Sequence, residues 1–339
     1  MEKINDMKIE TKIEERIDNN EIKFSGSLRY DEPMFRHCTF KVGGKADVWV
    51  RPAKDIFPSY AARLLKAAKE EGIQVFVLGA GANVVISDRG IRGIVLDTAS
   101  YRGIGKREDR EAKPESDFNE LKAMREQSLF SVSVLAGTSV DGLTFRMAER
   151  GLSGLEFLAG MPGSVGGAVW MNARCYEKSV SDVLLETEIL NEAFEKEKIP
   201  FRPEDFSYKK SPFQQREILI LSARFAVEFR ESKDIHKEME GHRQDRGNKG
   251  HYRFPSAGSA FKNNRDFMEP TGRIIDQLGL RGLNIGGAQV APWHGNLIIN
   301  TGNATASDIR ILMNEVAKRV KEERGFDLES EVLFVGEWD

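Results

Sequence analysis

The chain has 339 residues, with 50 Lys and Arg set against 53 Asp and Glu and a formal net charge of −3. That length allows two or three domains and a sizeable core, and the near balance of charge gives no bulk field towards nucleic acid or a membrane surface. The two cysteines, Cys38 and Cys175, have neither metal-ligand spacing nor a disulfide framework, and no apolar run reaches the ~18 residues of a membrane-spanning helix.

The amino-terminal stretch MEKINDMKIETKIEERIDNNEIK is charged throughout and lacks the apolar centre of a secretory signal. With the low cysteine usage, this predicts a protein of the reduced cytoplasm. Residues 1–25 read as a polar helix or an unstructured arm. Thr39 to Pro52 is strand-like, with Gly43 and Gly44 as a turn or a point of close approach. Pro58 to Glu71 predicts an amphipathic helix with Leu64, Leu65 and Ala68 on one face and a stop at Gly72. Val75 to Leu78 predicts a buried strand that runs into Gly79-Ala80-Gly81-Ala82-Asn83, then into Val84-Val85-Ile86. A Rossmann fingerprint needs a third glycine and a helix next; Val84 and the strand-like run after it exclude that site. Residues 101–128 are highly charged and poor in large apolar residues, and read as an exposed insertion between two strands. Leu129 to Ala136 resumes as a strand. Ser139 then caps a helix that carries Val140, Leu143 and Met147 and stops at Gly151.

The next stretch, GLSGLEFLAGMPGSVGGAVWMNARCY from Gly151 to Tyr176, holds Gly160, Gly163, Gly166 and Gly167 within eight residues, with Pro162 and Ser164 among them. Such a run is not expected to form a regular helix. The interleaved Leu155, Phe157, Leu158, Val165, Val169 and Trp170 exclude a flexible linker. It is either a tightly packed buried turn or a nest of bare N–H groups that binds an anion such as a phosphate. The second glycine loop, at 79–83, favours a pyrophosphate held by backbone rather than by lysine.

Strands follow near 183–190 and 217–229. From Lys233 a polar helical segment leads into the loop HYRFPSAGSAFKNN, a short helix in GRIIDQLGLRG and a strand–turn–strand in GGAQVAPWHGNLIIN. Thr305 or Ser307 starts the last helix, with Ile309, Leu312, Met313, Val316 and Val320 on one face and Gly325 at its end. Glu331 to Val335 is the final strand. This mixture predicts a separate α+β domain. His37, His242, His251 and His294 show no metal spacing and read as surface or loop residues.

LGAGANVVI, GIRGIVLDT and GLEFLAGMPGSVGGAVWMNA together resemble the flavin-binding half of the UDP-N-acetylenolpyruvoylglucosamine reductases, the MurB family. The resemblance runs from about Thr39 to about Gly336, and the short stretch before Arg246 is similar to the type II subclass. It implies an α+β chain: a two-subdomain FAD-binding module, PCMH/vanillyl-alcohol-oxidase-like, followed by a C-terminal α+β substrate-binding domain. The implied boundaries are a polar extension at 1–29, flavin subdomains at 30–97 and 98–230, and a substrate domain at 231–339. The implied activity is NADPH-dependent reduction of UDP-N-acetylglucosamine enolpyruvate to UDP-N-acetylmuramate, a step of peptidoglycan precursor synthesis. The implied partners are FAD, NADPH and a UDP-sugar, with no nucleic acid and no membrane.

The resemblance also implies roles. Gly79, Ala80, Gly81, Ala82 and Asn83, with Gly160, Pro162, Gly163, Ser164, Gly166 and Gly167, would hold FAD. Ser259 matches the proton donor to C2 of the enolpyruvyl group. A neutral hydroxyl donates there only if the developing negative charge is stabilised nearby. Glu331, chosen over Glu329, matches the essential glutamate, expected to have a raised pKa beside the substrate carboxylate. Lys209 falls where the family usually has the arginine of Tyr-Arg-x-Ser; this chain reads Tyr208-Lys209-Lys210-Ser211. Lysine keeps the charge and loses the planar fork. Lys210 and Arg174 are alternative cations, and Arg174 itself departs from the family's Asn-Ala-Gly-Ala-Tyr-Gly. Tyr208, Lys249, Asn263 and Gln289 are implied substrate contacts, and Asn296 is a further candidate. Two alternatives stand beside this reading: another FAD oxidoreductase of the superfamily, or a sugar-nucleotide-binding flavoprotein with weakened catalysis.

Overall fold

Apolar periodicity places the core-facing elements where the sequence predicts them. The computed structural model describes residues 24–109 and 130–338; the expectations for residues 1–23 and 110–128 lie outside these. Two compact units form, each from separated stretches of chain. The first comprises Val50–Ala80 and Leu96–Arg243 with residues 24–28, and the second Arg29–Trp49, Gly81–Val95 and Gln244–Asp339. The strands Gly26–Pro33, Lys45–Pro52 and Ile91–Asp97 each carry the chain across this division.

The first unit is built on a six-stranded antiparallel sheet. Its main path runs Lys196–Pro200, Leu184–Leu190, Leu219–Phe229, Phe130–Leu135, Ile104–Asp109. Val132, Val134, Phe225 and Val227 on two neighbouring strands share one core with Leu143 and Met147 of the helix Val140–Glu149 and with Val165 and Val169 of the helix Val165–Trp170. Ser139 caps the former helix by accepting from Gly142 N, and Gly151 follows its end at φ 66°. The helix Phe57–Glu70 buries Phe57, Tyr60, Ala61, Leu64 and Ala68, with Pro58 in its first turn.

Two expectations are corrected here. Residues 101–109 belong to the sheet rather than to an insertion: Tyr101 is 8% exposed, its ring stacks on Phe57 at 4.6 Å, and Ile104–Asp109 is a strand at the sheet edge, on which Gly105, Lys106 and Arg107 are exposed as expected. Edge strands carry charge because it blunts pairing with other chains, so a charged run does not by itself mark an insertion. The same masking hid the other edge, Lys196–Pro200. The glycine-rich run also enters a helix, Val165–Trp170, which includes Gly166 and Gly167. It is short, capped by Ser164, and needs a glycine at 166 because a Cβ there would lie 2.9 Å from that of Ala136.

In the second unit the helix Ala306–Arg324 starts in a capping box of Thr305 and Asp308, and ends at Gly325 with φ 72°. Ile309, Leu312, Met313, Val316 and Val320 are buried along it. Asp88 accepts from the Ala306 and Ser307 amides at 2.8 Å each and from the Ser307 hydroxyl at 2.7 Å, an acidic group on the positive end of the helix. The strands Asn284–Ile285, Ala288–Val290 and Ile298–Asn300 form an antiparallel sheet, and Leu333–Val335 pairs in parallel with Val84–Ile86. Among the described residues no helix is long and apolar enough to cross a membrane.

One turn in the first unit is strained. Arg174–Cys175 pairs with Lys178–Ser179 around Tyr176 and Glu177, whose φ values are 49° and 68°. A two-residue hairpin loop with both φ positive ordinarily takes Asn-Gly. Tyr176 is held there by its ring, stacked on His242 at 3.9 Å, and by its hydroxyl, which donates to the His242 carbonyl at 2.9 Å. Glu177 is exposed. Glu177→Gly is therefore expected to stabilise the protein by roughly 1 kcal/mol, read by denaturant unfolding. An unchanged or lower midpoint would show that the turn is not strained.

Candidate active site

In the first unit Gly79 lies against Ser164 of the longer glycine-rich run. A Cβ on Gly79 would lie 2.3 Å from the Ser164 hydroxyl, which itself accepts from Gly167 N at 3.3 Å. Val140 N donates to Gly163 O, and Val165 N to Thr138 O, so the loop is stitched to the start of the helix Val140–Glu149. Asp141 in that helix accepts from Gly160 N at 2.7 Å and from Arg243 at 2.8 Å. Asp141 is not among the residues that the sequence motifs single out; it is an acidic residue in the first turn of its helix.

The amides of Gly79, Ala80, Gly81, Ala82, Gly163 and Ser164 find no acceptor among the described residues. Runs of bare N–H groups fit the phosphate oxygens of a pyrophosphate. The glycines themselves have a second reason. A Cβ on Gly81, at φ 62°, would lie 2.0 Å from the His37 carbonyl, and one on Gly166 would press on Ala136. Absence of a side chain at 81 and 166 is thus demanded by the chain's own packing, before any ligand is considered. Pro162 supplies no donor.

Lys209 is half-buried in a tight turn. Ser207 and Lys210 exchange backbone bonds, and Lys209 sits at φ 57°. Ser211 Oγ donates to Trp170 O at 2.6 Å, Asn172 Nδ2 to Ser207 O at 2.9 Å, and Gln214 Nε2 to the carbonyls of Trp170 and Lys209 at 3.0 Å each. The turn is thereby tied to the end of the helix Val165–Trp170. Tyr208 is 39% exposed.

In the second unit the backbone brings Ser259 and Glu331 onto neighbouring segments. Ser259 bridges Leu297, Phe261 bridges Ser330, and Glu331 N donates to Ala260 O at 2.8 Å. Asn296 locks this ladder, its side chain accepting from Phe261 N and donating to Phe261 O at 2.9 and 2.7 Å. Asn83, at the end of the glycine loop, donates to Glu331 O at 3.0 Å and accepts from Leu333 N.

The other candidates each have hydrogen-bond or ion-pair partners within the chain. Lys249 pairs with Asp245 at 2.7 Å, Asn263 accepts from Thr271 N at the start of a short helix, and Gln289 donates to Gly282 O. His251 and His294 lie in loops, as read, but are half-buried with ring centroids 6.0 Å apart, and His251 Nδ1 is buried without a hydrogen bond; His242 instead lies in the helix Ser232–Asn248. His37 bonds Glu32 at 2.8 Å. Among the described residues no group of three or more His, Cys, Asp or Glu could hold a metal.

Residues 250–335 match the family profile described as UDP-N-acetylenolpyruvoylglucosamine reductase, C-terminal domain, and residues 59–193 match an FAD binding domain. The UDP-N-acetylenolpyruvoylglucosamine reductase of Treponema denticola is 39% identical over 325 residues, spanning 92% of this chain and 95% of its own. The chain belongs to the UDP-N-acetylenolpyruvoylglucosamine reductase family. The Bacillus subtilis reductase is 34% identical, with 92% and 95% covered. The solved structure of the family member MurB from Thermus caldophilus superposes with a TM-score of 0.67 at 30% identity, covering 92% of this chain and 99% of that one. The fold is therefore that of the family: an FAD-binding domain with the family's C-terminal domain after it.

Burial, with Arg246, His294 and Lys249 nearby, pushes the His251 imidazole down to about 4 from its ordinary 6.5. The folded value lies below the unfolded one, so the unfolded chain takes up the proton first as pH falls. Stability from keeping His251 neutral is full above pH 6.5 and declines towards pH 4. His251→Leu is expected to show a shallower loss of melting temperature across that window. Parallel curves for variant and parent would assign the acid sensitivity elsewhere.

Proposed function

We propose that the chain reduces UDP-N-acetylenolpyruvoylglucosamine to UDP-N-acetylmuramate with NADPH, in the cytoplasm, as a step of peptidoglycan precursor synthesis. The observation that supports it most is the ladder that sets Ser259 beside the Glu331 segment, in a chain of this family. The amides of Gly79–Ala82, Gly163 and Ser164 would hold the pyrophosphate of FAD. Bound FAD supplies the hydride chemistry between NADPH and the enolpyruvyl group. The remaining work falls to side chains. Ser259 gives its hydroxyl proton to C2. Lys209 and Glu331 act on the substrate carboxylate, so that negative charge arising at C2 spreads into a carboxylate held by a cation and a hydrogen-bond donor. Tyr208, Lys249, Asn263 and Gln289 are assigned to the UDP-sugar. The flavin subdomains are assigned to about 30–97 and 98–230 and the substrate domain to 231–339.

A second reading, a sugar-nucleotide-binding flavoprotein of weak turnover, is favoured by Lys209 alone. Purified protein is expected to be yellow, to release FAD on denaturation, and to oxidise NADPH steadily only when the enolpyruvyl substrate is present. Binding of the substrate with no NADPH consumption would establish the second reading instead. Ser259→Ala is expected to leave reduction by NADPH near parental and to slow reoxidation by substrate ~10²–10⁴-fold in stopped flow. Equal slowing of both half-reactions would make the serine structural.

A further inference from the structure

The turn that carries Lys209 is held in a conformation it would not choose. Tyr208 and Lys209 are its central residues, since Lys210 N donates to Ser207 O at 3.1 Å and Ser207 N to Lys210 O at 3.2 Å. Lys209 has φ 57°, the region that such a turn position normally gives to glycine or asparagine. A side-chain-bearing residue persists there only when its surroundings over-determine it. Three side chains supply that determination: Asn172 on Ser207 O, Ser211 on Trp170 O, and Gln214 on both Trp170 O and Lys209 O. Of the three, Gln214 is the one that bonds the strained residue.

We propose that Gln214 is a positioning residue for Lys209: its side-chain amide, spanning the carbonyls of Trp170 and Lys209, fixes the left-handed turn so that the ammonium is in place before the substrate carboxylate arrives. This rests on the reading of Lys209 as the cation for that carboxylate. An arginine orients itself on a carboxylate through two parallel bonds, whereas an ammonium on four methylenes has no such fork. Its direction has to come from the backbone that carries it. Gln214 fixes that backbone, and does so against the end of the helix whose first residues belong to the glycine-rich run.

Gln214→Met keeps side-chain length and removes both donors. The variant is expected to bind FAD and to be reduced by NADPH like the parent. Its reoxidation by UDP-N-acetylenolpyruvoylglucosamine is expected to slow by roughly tenfold to a hundredfold, the scale of a misplaced orienting group. In a Lys209→Met background the same change is expected to add nothing, because no ammonium remains to be placed. Gln214→Asn keeps the amide but is one methylene too short to span both carbonyls, and is expected to fall between; it also serves if the methionine variant folds poorly. Equal slowing by Gln214→Met with and without Lys209 would overturn the inference. So would parental reoxidation in Gln214→Met beside slow reoxidation in Lys209→Met. Parental reoxidation in Lys209→Met would overturn the role of Lys209 and the inference together.

Discussion

A buried or half-buried amide that donates to nothing raises the free energy of the fold, and folded chains leave few of them. Among the described residues Gly79, Gly81, Ala82, Gly163 and Ser164 carry such amides, and Ala80 beside them is exposed. The surrounding backbone makes this arrangement hard to relax. Gly79 abuts Ser164, Gly81 abuts the His37 carbonyl, and Gly160 is held by Asp141. The loops cannot turn their donors inward without opening these contacts. In the proposed role, an anion that accepts from such amides would meet donors already held by the chain's own contacts, which is the low-cost way to bind a diphosphate.

Much of this was legible in the sequence, for identifiable reasons. The helices Val140–Glu149 and Ala306–Arg324 announce themselves through a capping residue, a 3.6-residue apolar spacing and a terminal glycine. Edge strands give no such signal. Ile104–Asp109 and Lys196–Pro200 are rich in charge because their side chains need no core on the outer side. Burial of a polar residue is equally silent: nothing in the letters around His251 shows that its Nδ1 is out of reach of water and of any partner. Gln214 was missed for a similar reason. Its bond to Lys209 is local, but glutamine at that spacing is not a recognised turn signal, and only the positive φ of Lys209 reveals that something must hold it.

The placement of Ser259 and Glu331 on neighbouring segments shows what sequence reading cannot reach by pattern. Each was assigned from a separate motif, and no periodicity links them. What joins them is a short ladder, with Asn296 closing one side and the Ser330–Glu331 backbone the other. Such a ladder sets relative position through backbone bonds, which tolerate little slippage. A hydroxyl is a poor acid unless the charge left behind is stabilised at once. In the proposed reaction, a position on the segment beside the glutamate would supply the precision required.

The same ladder reaches the glycine loop. Asn83 closes that loop, donates to the Glu331 carbonyl and accepts from Leu333 N, and the next residues, Val84–Ile86, pair in parallel with Leu333–Val335. Glu331 and the end of the loop are thus fixed by one pair of strands. A displacement of the glutamate would pull on Asn83, and through it on the backbone that carries the free amides. Parallel pairing of Leu333–Val335 with a strand near residue 85 is also a long-range contact, so the entropy of closing a long loop is spent before the pairing repays it. Loss of that pairing is therefore expected to disturb Glu331 and Asn83 together.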